Sequence, residues 1–147
     1  SSEEPLISVP IEAAGRTFHM TCVSMGNPHA VIFLSDEEDL DSFELEKYGP
    51  ALESHHAFPN RANIEFVKVE DRRTVHMRVW ERGTGETLAC GTGTCAVTVA
   101  GVLNGLTDHK VDVHVPGGVI TDFYDEKAGT VFMTGPAATV FQGEINM

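Results

Sequence analysis

The chain has 147 residues, 41% of them hydrophobic and 22% charged, which suits one ordinary domain with a sizeable core. Its formal net charge of −12 argues against nucleic acid, whose phosphates demand basic patches. No apolar run approaches the roughly 20 residues that span a bilayer, no basic and apolar leader marks secretion, and three cysteines suit a reducing cytoplasm better than a disulfide scaffold.

Residues 1–5 read as a frayed or linker end. Leu6–Ile11 and Thr17–Ser24 alternate as strands around a turn at Ala13-Ala14-Gly15. Met25-Gly26-Asn27-Pro28 is turn chemistry, because proline holds the preceding asparagine away from the helical region. Ala30–Leu34 is a short apolar strand. Leu45, Tyr48 and Leu52 recur at helical spacing and predict a helix over Ser42–Ser54, broken or kinked at Gly49-Pro50. Ala62–Glu70 and Thr74–Glu81 read as paired strands.

The pattern then changes. Gly83–Gly93 reads as a glycine- and threonine-rich loop, and Thr94–Leu103 as a helix apolar on every side, stopped by Asn104-Gly105. Strands follow at Val111–Val115, Val119–Tyr124, Thr130–Met133 and Ala138–Phe141. Many strands around one wholly apolar helix predict an α+β fold, a curled mixed sheet or barrel wrapped around that helix.

Cys90 stands just before the buried helix. The first N–H groups of a helix lack intrahelical acceptors and its dipole is positive there. A thiol at that position is stabilised as thiolate, and a carboxylate can lie on the N–H groups of Gly91, Thr92 and Gly93. A base beside a carboxylate cradle is what abstraction of an amino acid's α-proton requires. The residues equally allow Cys90 to be a small buried hydrophobe; Cys22 and Cys95 read as core. Glu81 and Arg82 offer an acceptor for an ammonium and a fork for a carboxylate, or else solvated charges. Asn27 and Asn63 fit turn roles, and His29 fits a structural histidine, as well as a site. The histidines show no metal-ligand spacing, so no metal is expected. Gly91-Thr92-Gly93-Thr94-Cys95-Ala96, with Asp112 further on, also matches a dinucleotide fingerprint. Against it stand the long segment after Trp80 and the lack of alternating helices.

Met25-Gly26-Asn27-Pro28-His29, Phe58-Pro59-Asn60-Arg61-Ala62-Asn63, Glu81-Arg82 through Ala89-Cys90-Gly91-Thr92-Gly93, and Thr134-Gly135-Pro136-Ala137 to Phe141-Gln142-Gly143-Glu144-Ile145 occur in one order. In that order they resemble the diaminopimelate epimerases over nearly the whole chain. The resemblance implies interconversion of LL- and meso-2,6-diaminopimelate without pyridoxal or any other cofactor, on the route to lysine and peptidoglycan. Two similar halves would close over the substrate, each with one cysteine facing the α-carbon, one as thiolate base and the other as thiol acid. Cys90 would be the carboxyl-terminal member of that pair. Gly91 and Thr92 would bind the reacting carboxylate through backbone N–H groups. Glu81 would meet the reacting ammonium and, with His29, tune the thiols. Asn27, Asn63 and Arg82 would hold the distal end of the diamino dicarboxylic acid.

The family's other cysteine lies in a Cys-Gly-Asn-Gly stretch, and neither Cys22 nor Cys95 has that context. Residues 1–147 are therefore expected to be a single domain, the carboxyl-terminal half of a cytoplasmic enzyme. The amino-terminal half is the expected partner, and the uncovered cleft face is expected to favour self-association, a homodimer included. Racemases of the same architecture acting on other substrates, and a non-enzymatic binding module, remain as alternatives.

Overall fold

A computed structural model describes residues 6–88 and 91–134 in full and the backbone of 140–144. Ten strands form one mixed sheet. In chain order they are β1 Leu6–Ala13, β2 Arg16–Ser24, β3 Pro28–Phe33, β4 Asn63–Asp71, β5 Thr74–Glu81, β6 Gly85–Thr87, β7 Lys110–Val115, β8 Gly118–Asp125, β9 Thr130–Thr134 and β10 Val140–Glu144. Helix α1, Leu45–Glu53, lies between β3 and β4, and α2, Gly91–Leu103, between β6 and β7. Across the sheet the strands run β1-β2-β3-β4-β5-β7-β8-β9-β10, with β6 paired to β5 outside that path. The strand pairs are antiparallel except β3/β4 and β5/β7.

Those two parallel pairs explain where the helices go. Both crossovers, β3-α1-β4 and β5-α2-β7, step the same way across the sheet, but β4 and β5 are antiparallel. Crossovers of the same hand must then place their helices on opposite faces. The core divides accordingly. Phe18, Met20, Ala30, Ile32, Ile64 and Phe66 pack with Leu45, Tyr48 and Leu52 of α1. Their strand neighbours Val23, Val31 and Val67 pack with Val75, Met77, Val79 and α2. Period-two alternation along β2, β3 and β4 thus feeds two cores, because these strands are covered on both faces.

Helix α2 is buried continuously from Gly93 to Gly101. It touches β2, β3, β4, β7, β8 and β9. In a flat sheet β2 and β9 would lie about 29 Å apart, six strand spacings of roughly 4.8 Å, whereas a helix is only about 10 Å wide. The sheet must curl around α2, as the apolar sequence of that helix predicts. The Asn104-Gly105 stop takes the form of a Schellman cap: Gly105, at φ +70°, and Leu106 donate N–H bonds to the carbonyls of Val102 and Gly101.

Three of the sequence readings change. Helix α1 runs unbroken through Gly49-Pro50. The bond that Pro50 cannot make would go to Glu46, whose residue is exposed, so water can serve that carbonyl. Residues 85–87, read as loop, pair with β5 as β6, and α2 begins at Gly91 rather than Thr94. Neither segment has apolar periodicity; cross-strand bonds and packing decide both.

Candidate functional site

The site residues meet on the α2 face of the sheet. His29 lies opposite Asn63 in the β3/β4 register. One step beyond the Ile64–Trp80 pair, Asn63 in turn adjoins Glu81 at the end of β5. A row His29–Asn63–Glu81 therefore crosses three strands, on the same side as Val31, Val67 and Val79 beneath α2. The amino end of α2 comes down on this row. His29 Nε2 is 3.2 Å from Thr92 Oγ1 and 3.1 Å from Asn27 Oδ1. Two segments distant in sequence, one carrying Asn27 and His29 and the other Thr92, thus meet at one imidazole.

That imidazole is held from behind. Its Nδ1 lies 2.7 Å from Glu65 Oε2, and both side chains are 0% exposed. Burial pushes the Glu65 carboxyl above the ordinary carboxylate range; His29 opposes this, and the charge of Glu81 adds to it. Asn63 locks the neighbouring loops: its Oδ1 accepts the Arg82 N–H at 2.7 Å, and its Nδ2 donates to the Pro28 carbonyl at 3.3 Å. The Arg82 guanidinium donates to the Asn60 carbonyl at 3.3 Å and is exposed. Gly91 opens α2 and is exposed, and its carbonyl accepts the Thr94 hydroxyl at 3.0 Å. Cys90 lies outside the described residues, as do the residues between Thr134 and Val140.

Asn27, His29, Asn63, Glu81, Arg82, Gly91 and Thr92 therefore belong to one neighbourhood. Two further acids support it, Glu65 from within and Glu53 from the α1 side of the sheet. Glu65 follows Asn63 by two residues on the same strand face, and its burial escapes a sequence reading because β4 alternates polar and apolar residues as a half-exposed strand would. Glu53, in the last turn of α1, accepts Trp80 Nε1–H at 2.9 Å and the Gly83 N–H at 2.7 Å, and lies 3.6 Å from Arg61. It anchors the hairpin that carries Glu81 and Arg82. A carboxylate at a helix's negative end opposes the dipole, which was the signal available in the sequence.

The remaining cysteines behave as core. Cys95 is buried within α2, and burial pushes the half-buried Cys22 thiol up to about 11, so Cys22 stays protonated near neutrality. The dinucleotide fingerprint does not take its usual form. Strand β6 intervenes between β5 and α2, and Gly91 and Gly93 lie inside the helix rather than in a turn that feeds it.

Fold and site together define an α+β domain whose buried histidine–acid pair supports a polar cluster at the amino end of an enclosed helix. The family model for diaminopimelate epimerase matches residues 21–140. A diaminopimelate epimerase from Agathobacter rectalis is 55% identical over all 147 residues, which span 50% of that protein. One from Acetivibrio thermocellus is 52% identical over the same length, 51% of its own. Among solved structures, a phenazine biosynthesis protein of the PhzF family from Bacillus anthracis superposes with a TM-score of 0.51 at 20% identity. That match covers 79% of this chain and 38% of the other, and shows the shared fold. The chain belongs to the diaminopimelate epimerase family. It spans about half the length of the curated relatives it matches.

Proposed function

We propose that this chain is the carboxyl-terminal half, a single domain over residues 1–147, of a cytoplasmic enzyme that interconverts LL- and meso-2,6-diaminopimelate for lysine and peptidoglycan synthesis. The observation that carries the reading is the meeting of Asn27, His29 and Thr92 at the amino end of α2, directly after Cys90. The 55% identity to a relative named diaminopimelate epimerase supports the substrate.

The substrate's reacting carboxylate lies at the first turn of α2, received by the backbone N–H groups of Gly91 and Thr92. The helix dipole and those donors stabilise the charge that grows there as the α-proton leaves. The Cys90 thiolate takes that proton from one face of the α-carbon. A thiol from the amino-terminal half returns a proton to the other face, and the two exchange roles in the reverse direction. Glu81 meets the reacting ammonium and, with His29, tunes the thiols. Asn27, Asn63 and Arg82 hold the distal amino-acid end. The Arg82 guanidinium has a planar fork for a carboxylate, and its backbone is pinned by Asn63.

The proton that leaves the α-carbon and the one that replaces it both pass through cysteines in this scheme, which sets the test. In the full-length protein, Cys90→Ala is expected to lower epimerisation, followed as conversion of the LL to the meso form, by at least about a thousandfold. Wild-type turnover in that variant would remove Cys90 from the mechanism. Equal turnover of proline would move the assignment to a relative with a different substrate.

A further inference from the structure

Glu65 is a fully buried acid to which the proposed reaction assigns no task. It touches the site through His29 alone among the described contacts, at 2.7 Å from Nδ1. Proton counting separates two arrangements. In the first, a Glu65 carboxylate accepts Nδ1–H from a neutral ring. A whole negative charge is then buried, Glu65 Oε1 has no hydrogen-bond partner among the described residues, and Glu81 repels it from β5. With the Asn27 amide in this orientation, Nε2 would also face Asn27 Oδ1 at 3.1 Å as one acceptor facing another, with the Thr92 hydroxyl at 3.2 Å as its donor. In the second arrangement the pair holds one more proton, on Oε2 or on Nδ1. The pair is then neutral overall, and Nε2 carries a hydrogen that Asn27 Oδ1 accepts. The second arrangement gives the Asn27 contact a donor, with Thr92 Oγ1 at 3.2 Å able to share the same hydrogen, and the upward push that burial exerts on the Glu65 carboxyl agrees with it.

We infer that Glu65 is a positioning residue acting through His29: it shares a proton with Nδ1 and so keeps the imidazole hydrogen on Nε2, facing the site as a donor. His29 in that state cannot accept the α-proton. It can stabilise an anion beside it, a thiolate or a carboxylate, and this leaves proton abstraction to the thiols. The inference rests on the acid/base reading of the site given above.

The experiment uses full-length protein with 15N-labelled histidine rings, comparing wild type, Glu65→Gln and Glu65→Met. At neutral pH the wild-type His29 signals are expected to show hydrogen on Nε2. A glutamine amide donates a hydrogen to Nδ1 as a protonated acid would, so Glu65→Gln keeps the Nε2 hydrogen and retains epimerisation to within about fivefold. A methionine side chain fills the volume without a hydrogen bond and frees the ring, and Glu65→Met is expected to lose about 100-fold in turnover. Wild-type spectra with hydrogen on Nδ1 and a bare Nε2 overturn the inference. So does a Glu65→Met variant as active as Glu65→Gln, which would reduce Glu65 to packing. The wild-type spectrum decides even where a variant does not fold. It is also independent of turnover: a protein that does not epimerise diaminopimelate would defeat the proposed function while the ring assignment is still read directly.

Discussion

Asp122 on β8 is buried against the middle of α2, with its Oδ2 2.9 Å from Thr98 Oγ1. Burial pushes its carboxyl up to about 7, although the hydrogen bond with Thr98 pulls the other way. Thr98 Oγ1 is also 2.9 Å from the Thr94 carbonyl, and a hydroxyl has one proton to donate. Protonated Asp122 resolves the conflict by donating to Thr98, which then donates to Thr94. The folded state therefore keeps a proton that the unfolded chain releases near the ordinary carboxylate value of about 4. Asp122's contribution to stability is fully present below that value and is lost as pH rises through about 7. Asp122→Asn mimics the protonated acid, so urea unfolding should show it gaining about 1–4 kcal/mol on wild type between about pH 5 and 8. Parallel pH profiles would mean that Asp122 carries no buried charge. At this scale Asn27, His29, Glu81 and Thr92 were legible because each sits at a turn, a strand end or a helix start. Glu65 and Asp122 were not, because a charged residue within an alternating strand reads as solvent-facing until something covers that face.

Among the elements, α1 shows most clearly how packing overrides local preference. A Cβ on Gly49 would lie 2.5 Å from Trp80 Cδ2, and the indole is tethered through Nε1–H to Glu53 of the same helix. The ring cannot swing aside without breaking that bond, and Glu53 also holds the Gly83 N–H. Gly49→Ala should therefore lose about 1–3 kcal/mol of stability in urea, despite the better helix propensity of alanine. Wild-type stability in that variant would show that Trp80 is free to move. The same contacts explain why Gly49-Pro50 does not end the helix: the buried side packs Gly49 on the indole, and Pro50 faces out. Strand β6 and the first turn of α2 escaped the sequence reading for a related reason. Their glycines and threonines have weak preferences, and pairing with β5 and the Thr92–His29 contact settle their conformation.

For the whole molecule, the matching relatives are about twice as long as this chain. The proposed mechanism needs a thiol on each face of the α-carbon, and the other two cysteines lie in a strand and inside α2, away from a helix start. The 147-residue chain alone is expected not to epimerise LL-diaminopimelate, and supplying the remaining half in trans should restore turnover. Conversion by the chain alone would sink the two-half scheme. Apolar periodicity, turn chemistry and the motif order already determined the strands other than β6, the enclosed helix and the family in the sequence, because these are local patterns or ordered sets of residues. Tertiary structure alone decided that α1 and α2 take opposite faces, that Asn63 pins the Arg82 backbone, and that Glu65 stands behind His29. Those outcomes depend on crossover direction and strand register, which bring together residues from distant segments and remove water from them.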